Sequence, residues 1–129
     1  MSGYATLGAV DVTASKAFYD EVMAAIGWAA HLDFPEWRAY SHAGSGTGFA
    51  LWVGIPFNRH EATSGNGAMV GFFVDTHAQV DAFHAAIIRL GGANEGDPGS
   101  RPGYGPDWYA AYGRDPVGNK IAAVCNKPV

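Results

Sequence analysis

Five histidines and one cysteine are the side chains of this chain best suited to ligate a metal or move a proton. Their spacing does not build a site. His31 and His42 fall on neighbouring extended runs, His60 lies in a polar segment, and His77 and His84 flank or ride one amphipathic stretch. None stands at zinc-ligand spacing from another His or Cys. His84 borders a helical apolar stripe and reads as a half-buried helix residue with a wet tip. His60-Glu61 would serve as an acid–base or coordinating pair, but its surroundings have the composition of a surface loop. Cys125 has only Lys127 nearby to lower its pKa and reads as an ordinary strand residue. Gly44-Ser45-Gly46-Thr47-Gly48 has the glycine density of a phosphate loop or nucleophile elbow. Both of those need a strand-to-helix turn, whereas strands flank these glycines, so a hairpin turn is the reading.

The aromatic residues carry more. Trp52, Trp108, Tyr109 and Tyr112, with Tyr104 beside them, crowd into segments able to line a cavity. Tyr112 stands ten residues before Ala122 across a turn, so both project to one sheet face. Aromatic walls with a few polar tips suit a small, flat or amphipathic organic ligand. Arg101 and Arg114 are available as an anion clamp or as rim charges.

The elements that must position these residues come in two copies. Sliding the chain by 64 positions lays Asp11 on Asp75, Ala14 on Ala78, Tyr19 on Phe83, Ile26 on Leu90 and Gly27 on Gly91. Such a repeat fixes architecture before any local reading does. Tyr4 to Val10 reads as a strand, followed by Asp11 and Thr13 as helix caps. Phe18, Val22 and Ile26 then form a buried helical stripe that Gly27 ends. Trp28 to Asp33, Trp37 to His42 and Phe49 to Gly54 read as strands, and Pro56 to Gly67 as a linking loop.

The second copy opens with Ala68 to Asp75 as a strand. Its helix carries the stripe Val80, Phe83, Ile87 and Leu90. Asp97 to Pro106, with three prolines and three glycines, reads as a long loop over one end of the sheet. Trp108 to Gly113 and Lys120 to Cys125 are strands, joined by the turn Asp115-Pro116-Val117-Gly118-Asn119. The order is βαβββ twice, the second copy's middle strand being the least marked in the residues. One α+β domain over residues 1–129 follows, with repeats at about 1–60 and 61–129.

Charge and composition exclude several classes. A net charge of −4 offers no clustered Lys and Arg for phosphate backbones, so no nucleic-acid partner is expected. It would favour a cationic small ligand over an anionic one. No run of eighteen apolar residues exists to span a bilayer, and acids at Asp11 and Asp20 interrupt any signal-like segment. The lone cysteine points to a reducing cytoplasm.

The ordered set of short motifs resembles the vicinal-oxygen-chelate superfamily, which includes glyoxalase I, extradiol dioxygenases, and fosfomycin- and bleomycin-resistance proteins. The matching residues are Thr6-Leu7-Gly8, Asp11, Ser15-Lys16-Ala17-Phe18-Tyr19, Gly27, Gly65-Asn66-Gly67, Val80-Asp81-Ala82-Phe83-His84, Gly91-Gly92 and Asp115 to Lys120. The resemblance implies a curved mixed sheet around a cavity, with a divalent metal held by His, Gln or Glu. Its ligand positions fall on Tyr4, Met69 and Ala122. A phenol, a thioether and a methyl group do not suit a hard ion, so no metal and no cofactor are expected. In the resistance proteins a tyrosine at the place of Tyr112 faces the ligand.

The expected ligand-lining set is therefore Tyr4, Trp52, Met69, Trp108, Tyr112 and Ala122, with no catalytic residue assigned. Of these, Tyr112, Trp108, Met69, Tyr4 and Ala122 are expected to share one concave surface. The reading that follows is a homodimeric protein that sequesters a small organic ligand. The alternatives are a metal-dependent glyoxalase I-like lyase, a dioxygenase-like enzyme, and a metal-free enzyme using Tyr112, His60 or Tyr4 as acid or base. Fold alone does not choose among them.

Overall fold

The computed structural model describes residues 2–128. The first repeat comprises β1 (Gly3–Gly8), α1 (Val12–Ala24), β2 (Trp28–Phe34), β3 (Trp37–His42) and β4 (Phe49–Gly54). The second comprises β5 (Met69–Phe73), α2 (His77–Arg89), β6 (Ala93–Ser100), β7 (Trp108–Arg114) and β8 (Lys120–Asn126). This is βαβββ twice. The outermost residues of the one-domain reading, Met1 and Val129, lie outside the described residues.

Each repeat closes its own four-stranded mixed sheet, in the orders β1-β4-β3-β2 and β5-β8-β7-β6. The first strand pairs parallel to the last, and the remaining pairs are antiparallel. A parallel pair needs a long crossover, which the helix and two intervening strands supply.

Both helices start on short polar side chains. Asp11 Oδ1 accepts the Ala14 amide at 3.1 Å. Thr76 and Gln79 cap each other's backbone in a reciprocal box. Gly27 carries a φ of 79° just beyond α1, a left-handed conformation that a side chain resists. Phe18, Tyr19, Val22 and Met23 of α1 and Val80, Phe83, Ala86 and Ile87 of α2 enter one core. Each fully buried large apolar side chain there contributes roughly 1.5–3 kcal/mol relative to exposure. α1 packs on the first sheet, α2 on the second, and the helices on one another.

Strand alternation then decides what each sheet shows to the outside. Tyr40, Leu51, Val53, Ala123, Ile121 and Cys125 point into the core. Their neighbours in sequence, including Ala39, Trp52, Ala122 and Val124, point to the face without helices.

One expectation changes. Asp97 to Ser100 belong to β6 rather than to a loop, and only the remainder up to Pro106 is turn-rich. β6 lies at the sheet edge and pairs only with β7, with irregular register between Asn94 and Gly96 and between Gly96 and Gly99. An edge strand tolerates Pro98, which has no amide to donate, and the glycines fall at the irregularities.

Candidate functional site

On the first sheet, the helix-free face forms a cavity of about 550 Å³ lined by Tyr4, Thr6, His31, Leu32, Phe34, Trp37 and Trp52. The register explains the convergence. Thr6 pairs with Trp52 and Ala39 sits beside Trp52, so the floor between β2 and β4 is a methyl group. Small Ala39 leaves room above it for the rings of Phe34 and Trp52, whose centroids are 6.5 Å apart at 14°. Trp37 lies against Gly54, where an added Cβ would meet its ring at 2.3 Å. Glycine is therefore required for that wall.

His31 occupies the irregularity between Ala30 and Leu32, which turns its ring toward this aromatic face. It meets Trp52 edge-on at 6.4 Å. Its Nδ1 is buried and has no hydrogen-bond partner. A shielded polar atom without a partner costs about 1–3 kcal/mol.

On the second sheet a smaller hollow of about 170 Å³ is lined by Met69, Gly71, Phe72, Phe73, Trp108, Tyr112 and Val124. Ala122 lies directly across from both Tyr112 and Gly71 and is fully buried. The Trp108 Nε1–H is shielded and unpartnered. Phe73 and Tyr104 pack edge-on against the Trp108 ring at 5.8 and 6.1 Å. The Arg101 guanidinium and the Lys120 ammonium stand 5.6 and 5.7 Å from the Tyr112 ring centre.

The expected ligand-lining residues thus separate into two groups. Tyr4 and Trp52 meet on the first sheet, and Met69, Trp108, Tyr112 and Ala122 meet on the second. Neither of these two cavities contains both groups. The repeat places Tyr4 and Met69 at equivalent points of two different sheets, so one chain does not bring them together. Tyr4 and Met69 are 66% and 48% exposed.

Thr6, His31, Leu32, Phe34 and Trp37 escaped the sequence reading. The alternation on β2 and β3 could have found Phe34 and Trp37, but the irregularity that turns His31 has no signature in the residues. Arg114 is not free to act as an anion clamp, since its Nε donates to Glu95 at 2.6 Å and its Nη1 to the Gly118 carbonyl at 2.8 Å. His84, expected to be half-buried with a wet tip, is buried, and its ring is satisfied by a 2.9 Å hydrogen bond with Asn94 that ties α2 to β6.

The three positions matched to metal ligands do not fit a divalent ion. The Tyr4 phenol is on the other sheet, Met69 offers a soft thioether, and Ala122 offers a buried methyl. Among the described residues no three His, Cys, Asp or Glu side chains converge as a metal site requires. No described helix is long and apolar enough to cross a membrane.

This architecture is widely shared. A glyoxalase-related enzyme from Fulvimarina pelagi has 24% identity and a TM-score of 0.74, covering 98% of this chain and 88% of that one. A lactoylglutathione lyase from Agrobacterium tumefaciens has 23% identity and a TM-score of 0.65, covering 97% and 92%. At these identities the likeness is one of fold. No protein-family model and no curated protein matches the sequence. A glyoxalase/bleomycin resistance protein from Albidiferax ferrireducens is 36% identical, with a TM-score of 0.83 over 99% of this chain and 98% of that one. With two βαβββ repeats and that degree of identity along its length, the chain belongs to the glyoxalase/bleomycin resistance protein family.

Proposed function

We propose that this protein binds and sequesters a small organic molecule, without a metal, as a cytoplasmic homodimer built from a single two-repeat domain. The observation that carries the reading is the aromatic cavity of about 550 Å³, whose lining side chains are apolar or aromatic apart from the Thr6 and Tyr4 hydroxyls, the Trp37 and Trp52 indole N–H groups and the His31 ring nitrogens. A space of that size and polarity is typical of small-ligand sites. Tyr4, Met69 and Ala122 at the places of metal ligands support binding rather than metal-assisted chemistry.

Dimerisation is supported by what the helix-free faces expose. Tyr4, Phe34, Met69 and Phe73 are all half or more open to solvent or close to it, at 66%, 51%, 48% and 72%. Contiguous apolar patches of this kind mark interaction surfaces. Pairing the first-sheet face of one copy with the second-sheet face of another would enclose both cavities and bring the two groups of ligand-lining residues together.

Elemental analysis of the purified protein and its melting temperature with and without a chelator test the metal-free reading. The expected result is no stoichiometric divalent ion and an unchanged melting temperature. A chelator-induced fall of several degrees would overturn it, since a bound ion stabilises the folded state by mass action.

A further inference from the structure

The chain holds eight Lys and Arg residues. Six of them, Lys16, Arg38, Arg59, Arg89, Arg114 and Lys127, pair with carboxylates. The two that pair with none among the described residues, Arg101 and Lys120, are the two that stand over Tyr112. In a chain of net charge −4, this leaves two cations without a direct ion pair beside one aromatic ring that lines the second cavity, although Glu95, bonded to Arg114, feels Lys120 at longer range.

Arg101 is held there by the backbone. Its Nη1 donates to the carbonyls of Gly99 and Ser100 at 2.9 and 3.4 Å, and its Nη2 to that of Asp97 at 2.8 Å. These acceptors are neutral, so the charge is fixed in place without being cancelled. A guanidinium has about five N–H donors, more than these carbonyls use. The irregular path of β6 supplies the geometry. A Cβ on Gly96 would fall 2.9 Å from the Tyr112 ring and 3.1 Å from Arg101 Nη2, and one on Gly99 would fall 3.2 Å from Nη1. Of the two acids of β6, Glu95 bonds Arg114 at 2.6 Å and the Asp97 carboxylate accepts from the neutral Asn94 amide at 2.8 Å, so neither makes a direct ion pair with Arg101 or Lys120. The ring of Trp108, whose shielded N–H has no partner, lines the same hollow as Tyr112, and the two cations flank the Tyr112 ring.

From this arrangement we infer that Arg101, Lys120, Tyr112 and Trp108 form an anion subsite, and that the sequestered molecule is an amphipathic organic anion. Its carboxylate, sulfonate or phosphate would meet the donors of the second sheet, and its apolar body the aromatic walls. This rests on the ligand-binding reading above. It replaces the expectation, drawn from net charge, that a cationic ligand is favoured. Local charge at the cavity governs the preference, because a partly buried cation with no direct ion pair gains more from an anion in contact than acids at longer range oppose.

Two fluorescent probes of similar shape separate the claims: 8-anilinonaphthalene-1-sulfonate, an anion, and the neutral N-phenyl-1-naphthylamine. Titration of the wild-type protein should show both binding, the sulfonate about tenfold or more tighter. Lys120→Met and Arg101→Met should each reduce that preference at least threefold, as expected for loss of about one charge-assisted contact, with neutral-probe affinity unchanged. The Lys120 side chain makes no hydrogen bond among the described residues, so replacing it leaves the backbone pairing of β8 with β5 and β7 intact even if Arg101→Met disturbs β6. Equal affinities for the two probes in the wild type, or an undiminished preference in Lys120→Met, would overturn the anion subsite and leave the ligand-binding reading standing. Failure of both probes to bind would overturn both.

Discussion

Tyr19 and Asp115, 96 positions apart, are joined by a hydrogen bond of 2.6 Å from the tyrosine hydroxyl to Asp115 Oδ2. The same carboxylate anchors the turn before β8. Its Oδ1 accepts the amides of Val117, Gly118 and Asn119 at 2.9, 3.0 and 2.9 Å. Asn119 in turn donates to Asp115 Oδ2 at 2.8 Å and to the Gly8 carbonyl at 3.0 Å. The Asp-Pro-x-Gly-Asn turn of the second repeat is thus the buried polar joint to α1 and β1 of the first.

Tyr19→Phe should therefore destabilise the protein out of proportion to the single atom removed. The buried carboxylate loses a charge-assisted donor, for which about 1.5–3 kcal/mol is expected. Urea unfolding should show a lower midpoint at an unchanged slope. A midpoint within error of wild type would mean that the Tyr19 hydroxyl contributes nothing to holding the two repeats together.

Alkaline pH should weaken the fold by the same contact. Burial first, then the charge and hydrogen bond of Asp115, push the Tyr19 hydroxyl well above its ordinary value. Burial, then Asp20, raises Tyr40 too. Because the unfolded chain gives up these protons near pH 10 and the folded chain does not, their contribution is complete below about pH 10 and declines as pH rises further. Spectrophotometric titration should show tyrosines that ionise only on unfolding. Smooth titration of all the tyrosines near pH 10 with retained structure would contradict this.

The repeat, the helix stripes and the closing turn were legible because each is a local pattern that packing later reinforces. Phe18, Val22 and Ile26, and Val80, Phe83 and Ile87, keep helical period in the sequence and face the core in the structure, whereas Leu90, expected in the second stripe, caps α2 and is exposed. The strand at β6 was not legible, since Pro98 and the glycines at 96 and 99 carry turn chemistry that only an edge position accommodates. The site was half legible. Single residues such as Trp52 and Tyr112 stood out, but whether their faces meet depends on how the two sheets pack. The pairing of six cations with distant acids, which singles out Arg101 and Lys120, depends on tertiary geometry too.

The proposed homodimer predicts that a charge on an open face will dissociate it. Phe73 is 72% exposed on β5, next to the edge of the second cavity. Phe73→Glu should give a folded monomer at micromolar concentrations where the wild type sediments as a dimer, because a lasting contact buries about 800 Å² per partner and tolerates no unpaired charge at its centre. A wild-type protein that sediments as a monomer at those concentrations would remove the dimer from the proposal.

His31 offers the sharpest separation of binding from folding. Its Nδ1 is shielded and unpartnered, while its ring meets Trp52 edge-on within the aromatic cavity. The ring contact serves stability but the nitrogen does not, since an orphaned buried nitrogen is a cost to the folded state. A phenylalanine keeps the ring and its edge-on contact while discarding the nitrogen. His31→Phe is thus expected to stabilise the protein by about 1 kcal/mol, which for a chain of this size is a rise of several degrees in melting temperature. The same variant should bind the neutral naphthylamine probe as well as the wild type does, because the aromatic walls are intact. A ligand that hydrogen-bonds to the imidazole should instead lose affinity. Thermal unfolding and probe titration on one preparation measure both effects, and a His31→Phe protein less stable than wild type would show that the nitrogen has a structural partner after all.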